Sequence, residues 1–183
     1  LPYDPIKDIA PIALIASGPF WLIAHPSVEA ANLKELIELA RKKPDALSYG
    51  SGGTGSSTHL AMEYFRQMTK TRIVHVPYKG GGAAIADLLS GRIQLYMSPG
   101  PLVMSHVKAG KLRALGVTSE QRASAMPDVP AITELVPGYA AAFPYGMGAS
   151  GGTPRQIIVK LNETLGRILK EPEVVARLRA GGN

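Results

Sequence analysis

The chain has 183 residues, of which 45% are hydrophobic, 19% charged and 6% aromatic, a composition typical of a globular protein with one or two domains. Its net charge is +6, but the basic residues are scattered along the chain, so no nucleic-acid partner is expected. Because cysteine is absent, disulfide bonds, thiolate metal ligands and a cysteine nucleophile are excluded.

Apolar segments alternate with helical patterns along the first two thirds of the chain. They predict strands at 9–16, 20–24, 47–49, 72–77, 93–97 and 112–117. Ser17-Gly18-Pro19 is expected to separate the first two strands, and the prolines and glycine in this apolar stretch argue against a membrane span. The order of strands and helices implies a mostly parallel sheet with right-handed crossovers, and residues 119–152 are expected to be irregular.

Helix boundaries are indicated by capping residues. Asn32 and Glu35 resemble a capping box, and the helix that follows should end before Pro44. A second helix is expected to bury one stripe of residues, namely Leu60, Ala61, Tyr64, Phe65 and Met68. Near the C-terminus, Thr153 and Gln156 predict a capped start to an amphipathic helix with Pro154 in its first turn.

Three loops follow three of the predicted strands, at residues 51–57, 78–82 and 98–101. Because the carboxyl ends of parallel strands lie at one edge of a sheet, all three loops are expected there, where α/β proteins bind ligands. The first loop is rich in glycine and runs into a helix whose N-cap is one of Ser56, Ser57 and Thr58. A helix N-terminus favours an anion, so the loop predicts a carboxylate or phosphate ligand.

Two motif matches fail for lack of partners. Residues 50–55 match G-x-G-x-x-G, but residues 69–79 contain no acidic residue to bind a ribose, which argues against a nicotinamide cofactor. Residues 148–152 match G-x-S-x-G, but no His or Asp follows Ser150, so a hydrolase triad in the usual order is excluded. No catalytic residue and no cofactor is therefore expected.

The four histidines do not indicate a metal site, because no pair has close metal-ligand spacing and no cysteine assists them. His59 lies in the first helical turn after the glycine-rich loop, where it either contacts a ligand or forms a local hydrogen bond. No signal peptide is recognised in the first residues, a pattern that a processed or truncated chain also shows.

A combination of short segments extends over nearly the whole chain. The segments are 2–8 (PYDPIKD), 49–60 (YGSGGTGSSTHL), 74–80 (VHVPYKG), 106–115 (HVKAGKLRAL), 126–130 (MPDVP) and 152–154 (GTP). Through them the chain resembles the substrate-binding proteins of tripartite tricarboxylate transporters, the TctC or Bug (Bordetella uptake gene) family.

The resemblance implies an α/β fold of the type II periplasmic-binding-protein class, with mostly parallel sheets, flanking helices and two lobes. Residues 1–24 would form part of lobe 1 and a crossover strand, 25–117 the ligand-binding lobe 2, and 118–183 a return to lobe 1 with C-terminal helices. Family members are longer, so the first lobe is expected to be incomplete. The implied function is a periplasmic receptor that delivers a small organic carboxylate to a membrane permease, without catalysis.

The family's carboxylate-binding loop corresponds to residues 51–57, in agreement with the helix N-terminus argument. The expected ligand-binding residues are Ser51, Gly53, Thr54, Gly55, Ser56, Ser57, His59, Tyr78, Gly80, Gly81, Ser98 and Tyr145. Ser98 stands where many members carry Asp, which disfavours a ligand with an amino group. Two alternatives stay open: an enzyme that binds a phosphorylated or nucleotide substrate at the same loop, and a cytoplasmic effector-sensing domain of a regulator.

Overall fold

The computed structural model describes residues 2–180, with side chains described as far as residue 178. The chain forms two compact units: a larger one of residues 18–143, and a smaller one of residues 2–17 with 144–180. Residues 118–143 thus pack with the larger unit, whereas the lobe assignment from the sequence ended that lobe at 117. That assignment stays a prediction, and its residues 1 and 181–183 lie outside the described part of the chain.

Six strands and six α-helices follow one another along the described residues. In chain order they are β1 (Ile9–Ala24), α1 (Leu33–Lys42), β2 (Ser48–Ser51), α2 (Ser57–Thr69), β3 (Val74–Pro77), α3 (Gly81–Leu89), β4 (Leu95–Pro99), α4 (Gly100–Lys108), β5 (Arg113–Val117), β6 (Ala142–Ser150), α5 (Arg155–Ile168) and α6 (Pro172–Ala180). No helix among residues 2–180 has both the length and the apolar character needed to cross a bilayer.

The sheet of the larger unit has the strand order β3-β2-β4-β1-β5. β2 is parallel to β3 and β4, whereas β1 is antiparallel to β4 and β5. The predicted mostly parallel α/β fold is therefore confirmed, with one reversed strand. The reversed strand is β1, which lies between β4 and β5. The connection from β4 through α4 to β5 therefore crosses over β1.

The prediction that Ser17-Gly18-Pro19 divides two strands is wrong, because β1 is one continuous strand of 16 residues. Its pairing with β4 begins at Phe20 and its pairing with β5 at Trp21. Pro19 therefore lies just outside this ladder, where its missing N–H costs no hydrogen bond. The prediction that residues 119–152 are irregular is wrong for β6, which contains Pro144 and two glycines and also pairs with β1.

The core of the larger unit fills both faces of the sheet. Along β1, Phe20 and Leu22 face the layer that contains α1 and α2, whereas Trp21 and Ile23 face the layer that contains α3 and α4. This alternation is the period of two expected for a strand that is buried on both faces.

The N-cap predicted for α1 is confirmed, but the capping box is incomplete, because the Glu35 carboxylate accepts from the Asn32 side chain and from the Ala31 N–H instead of from the main-chain N–H of Asn32. The Asn32 side chain accepts from Glu35 N at 3.0 Å and donates to the Glu35 carboxylate at 2.7 Å. The cap predicted for α5 is wrong: Pro154 is the N-cap and no side chain completes it. There the N–H of Thr153 is already bonded to the carbonyl of Ser150, which holds the residue in the preceding turn.

The buried face of α2 also differs from the predicted stripe. Leu60 is 60% exposed and Tyr64 39% exposed. The buried residues are Thr58, Ala61, Met62, Phe65 and Thr69. Thr58 turns inward because its hydroxyl accepts the Gly52 N–H at 2.9 Å, and this contact sets the rotation of the first helical turn.

Candidate ligand-binding site

The glycine-rich loop connects the carboxyl end of β2 to α2. Ser56 is the N-cap of α2, and its hydroxyl accepts the His59 N–H at 3.3 Å, as the sequence predicted for this group of residues. Gly53 has φ +129° and Gly55 has φ +80°, conformations that favour glycine. The two glycines therefore give the loop its shape.

Most main-chain N–H groups of the loop are bonded within it. Gly53 N donates to Ser51 Oγ at 3.2 Å, and Ser56 N donates to the Gly53 carbonyl at 3.1 Å. Gly55 N donates to His59 Nδ1 at 3.1 Å. The sequence indicated the loop but not this internal bonding, which commits several of the expected donors to the loop itself.

Thr54 and Ser57 are the exposed donors of the loop. Both residues are exposed, and within the described part of the chain no group accepts a hydrogen bond from the N–H of either one. Ser57 is the first residue of α2, where helix N–H groups have no partner in the helix itself. These two residues therefore offer main-chain and hydroxyl donors to a ligand.

The second loop lies directly beside the first. Tyr78 N donates to the Ser51 carbonyl at 3.1 Å, and Gly80 N donates to the Gly52 carbonyl at 3.2 Å. The Tyr78 hydroxyl donates to Asp87 at 2.8 Å, which holds that ring against α3. Gly80, at φ +111°, then turns the chain into α3.

The expected third loop does not exist, because Ser98 and Pro99 belong to β4 and α4 begins at Gly100. Ser98 is fully buried, and its hydroxyl donates to the Pro99 carbonyl at 3.0 Å. A Cβ added at Gly81 would lie 3.3 Å from Leu102 Cδ1, so the first turns of α3 and α4 are in contact.

Three helix N-termini therefore meet at one edge of the sheet, after the adjacent strands β3, β2 and β4. A Cβ added at Gly52 would lie 3.9 Å from Gly81 N, which shows how closely the starts of α2 and α3 approach. Each N-terminus carries a partial positive charge, so together they favour a bound anion. Tyr145 lies on β6 in the other unit.

Behind the loop lies a cluster of ionisable side chains that sequence reasoning missed. The Glu63 carboxylate accepts from both the Tyr49 hydroxyl and the Arg66 guanidinium. Two histidines complete the cluster: the rings of His59 and His75 stack with centroids 4.0 Å apart. The i, i+4 spacing of His59 and Glu63 was the one signal in the sequence, whereas the register that places Tyr49 beside His75 is seen only in the structure.

The cluster shifts the pKa values of its members. Burial and the bond to Glu63 raise the pKa of the Tyr49 hydroxyl. Burial acts to raise the pKa of Glu63, but the bonds from Tyr49 and Arg66 outweigh it and the pKa is lowered. Among residues 2–180 no group of three or more His, Cys, Asp or Glu side chains is arranged to hold a metal ion.

Comparison with known proteins shows the family. The sequence profile described as "Tripartite tricarboxylate transporter family receptor", TctC, matches residues 1–183. The chain belongs to the TctC family. It is 33% identical over 184 residues to the UPF0065 protein of the tcbD-tcbE intergenic region of Pseudomonas sp. strain P51, and 32% identical over 183 residues to BugT of Bordetella pertussis.

Both matches cover the whole of this chain. The chain spans only 55% and 56% of the length of those two relatives. Among solved structures, it resembles R. palustris Rpa4515 with adipate, with 36% identity and a TM-score of 0.95. It also resembles MatC of Rhodopseudomonas palustris with bound malate, with 28% identity and a TM-score of 0.90. These matches cover 98% of the chain and 60% and 62% of the two structures.

Proposed function

We propose that this protein is a periplasmic solute receptor that binds a small organic carboxylate and delivers it to a tripartite tricarboxylate transporter permease, without catalysis. The observation that carries the proposal is the meeting of three helix N-termini beside a glycine-rich loop with exposed donors. Two similar structures contain dicarboxylates, adipate and malate. For the permease and the periplasmic location, the support is membership of the family alone.

In this proposal, Thr54 and Ser57 supply the most direct donors to one ligand carboxylate. Gly80 and Gly81 bring the start of α3 to the same anion, and Tyr78 forms the adjoining wall. Hydrogen bonds to a charged group contribute about 1.5–3 kcal/mol each. Loss of one hydroxyl donor is therefore expected to weaken binding by about tenfold or more.

The remaining expected ligand residues support the site in different ways. Ser51, Gly53, Gly55 and Ser56 hold the loop in shape through their internal bonds. Ser98 lies in the buried end of β4 and supports the loops from within the sheet. Tyr145, on β6, stays a predicted aromatic contact of the ligand.

The test is ligand binding by the full-length receptor. Thermal-shift and calorimetric titrations with adipate, malate and phosphate esters compare the wild type with Thr54→Ala, Ser57→Ala and Ser105→Ala. Ser105 is an exposed serine within α4 and serves as the control. Stabilisation by a carboxylate without turnover, weakened by the two loop variants alone, supports the proposal.

Two results would contradict it. Stabilisation by phosphate esters or nucleotides alone, with product formation, favours the enzyme alternative. Unchanged carboxylate affinity in both Thr54→Ala and Ser57→Ala would show that neither hydroxyl binds the ligand and would count against the assignment of the glycine-rich loop.

A further inference from the structure

The two stacked histidines behind the loop are bonded to it at two separate points. His59 Nδ1 accepts the Gly55 N–H at 3.1 Å, and His75 Nε2 lies 2.7 Å from Ser51 Oγ. Ser51 Oγ also accepts the Gly53 N–H. The imidazoles therefore bond both the first residue of the loop and one of its later glycines.

The bond from Gly55 determines the tautomer of His59. A main-chain N–H can only donate, so Nδ1 carries no proton and neutral His59 carries its proton on Nε2. Nε2 faces Glu63 Oε1 at 3.9 Å. Protonation of the ring adds a proton to Nδ1, which then presents an N–H to the N–H of Gly55. The loop loses that hydrogen bond whenever His59 is charged.

The groups that face the two rings come from three elements. Glu63 and Arg66 approach from α2, Tyr49 from β2, and each histidine faces the other. Burial lowers the pKa of His75, the charges of His59 and Arg66 lower it further, and Glu63 acts in the opposite direction. These effects together favour the neutral form of His75, whose Nε2 lies 2.7 Å from the Ser51 hydroxyl.

We propose that His59 and His75 are positioning residues that hold the ligand-binding loop in shape, and that protonation of His59 releases the loop and weakens carboxylate binding. The last step depends on the proposed function. A charged His59 also adds a positive charge beside the loop, and Glu63, which is already paired with Arg66, offsets it only in part. The pH dependence of carboxylate affinity decides between this attraction and the loss of the Gly55 bond.

Two substitutions separate hydrogen bonding from titration. His59→Asn keeps an acceptor near the position of Nδ1 but cannot be protonated, whereas His59→Leu removes the acceptor. His106→Asn, on α4, is the matched control because His106 lies outside the cluster. Each of the three variants loses one titratable imidazole. They differ in whether that imidazole is at position 59 or 106, and in whether the new side chain can accept the Gly55 hydrogen bond.

The first measurement needs no ligand. The amide resonance of Gly55 is followed by NMR from about pH 8 to about pH 5.5, the range in which histidine ordinarily titrates. We expect it to titrate in the wild type and in His106→Asn, to stay constant in His59→Asn, and to lose protection from hydrogen exchange in His59→Leu. A wild-type resonance that does not move, or equal protection in His59→Asn and His59→Leu, overturns the proposal.

The second measurement is calorimetric titration of adipate at both ends of that range. We expect wild-type affinity to fall about three- to tenfold more at the lower pH than that of His59→Asn, which corresponds to the loss of one hydrogen bond. The ligand's own titration is the same for every variant and cancels. If the adipate affinity of the wild type falls by the same factor as that of His59→Asn, or by a smaller one, protonation of His59 does not weaken carboxylate binding. If adipate, malate and other carboxylates fail to bind at either pH while Gly55 behaves as expected, the proposed function fails and the positioning role stands.

Discussion

At the scale of single residues, backbone conformation decides where the binding loop tolerates a side chain. Gly53 has φ +129°, and a Cβ added there would lie 3.3 Å from the Tyr78 carbonyl oxygen. Gly82, in the first turn of α3, has open space around the position of a Cβ. Gly53 therefore needs a backbone conformation that disfavours a side chain, whereas Gly82 lies in a helix with room for one.

We expect Gly53→Ala to reduce the free energy of unfolding by about 1–3 kcal/mol, because a residue with a Cβ rarely adopts this backbone conformation. Gly82→Ala should be neutral or slightly stabilising, since alanine favours a helix over glycine. Urea unfolding of both variants measures the difference. Equal stability of the two variants would contradict the conformational argument.

Also at the residue scale, His75 makes stability depend on pH. Its pKa in the folded protein is lower than the ordinary value of 6.5, so the unfolded chain binds more protons in the interval between the two. The contribution is fully present above pH 6.5 and is lost as the pH falls towards the folded pKa.

We therefore expect His75→Gln, compared with the wild type, to lose less stability when the pH is lowered from about 8 to about 5.5. The measurement is the free energy of unfolding in urea at both pH values. His106→Gln is the control, and it should follow the wild type. If His75→Gln and the wild type lose the same stability, the pKa of His75 is the same in the folded and unfolded states and the argument is wrong.

At the scale of elements, helix α1 depends on its cap and on its buried face together. The Asn32 side chain satisfies the Glu35 N–H, and Glu35 in turn accepts the Ala31 N–H at 2.7 Å. Leu33, Leu36 and Ile37 are buried on the side that faces the sheet.

Asn32→Ala is expected to cost about 1 kcal/mol of stability, within the usual range for loss of an N-cap. Lys34→Ala, an exposed position on the same helix, should change stability by less than about 0.5 kcal/mol. Chemical denaturation of both variants is the measurement. A cost for Lys34→Ala as large as that for Asn32→Ala would show that the cap is not the cause.

At the scale of the whole molecule, the two units differ in how fully their helices are buried. Leu36 of α1 is completely buried in the larger unit. In the smaller unit, no side chain of α5 is fully buried among the described residues, and Ile157 is 49% exposed. A side-chain amide of Asn162 bonds the Ile12 carbonyl at 2.6 Å and ties α5 to β1.

Leu36→Ala should therefore cost about 2–5 kcal/mol, the range for a buried leucine. Ile157→Ala should change the stability of the same chain by about 0.5 kcal/mol or less, because little apolar area is lost from a half-exposed position. Thermal and urea unfolding of both variants provide the test. A large cost for Ile157→Ala would mean that this face of α5 is covered in solution.

The sequence by itself determined the local features. The apolar segments predicted the strands of the larger unit, Asn32 and Glu35 predicted the start of α1, and the glycines and serines of residues 50–57 predicted an anion-binding loop before a helix. These features depend on period, propensity and capping, which act over a few residues. The family, and with it the fold, was likewise recognisable from short segments.

Only the tertiary structure decided which distant groups meet. β1 is continuous through Pro19 and pairs with β4 and β5 beyond that residue, and β6 is its third partner. α2 is rotated from its predicted stripe because Thr58 bonds the loop. Tyr49, His59 and His75 come together, although up to 26 positions apart, because β2 and β3 pair in register beside α2. Pairing and packing over such separations depend on the whole fold, and no local pattern specifies them.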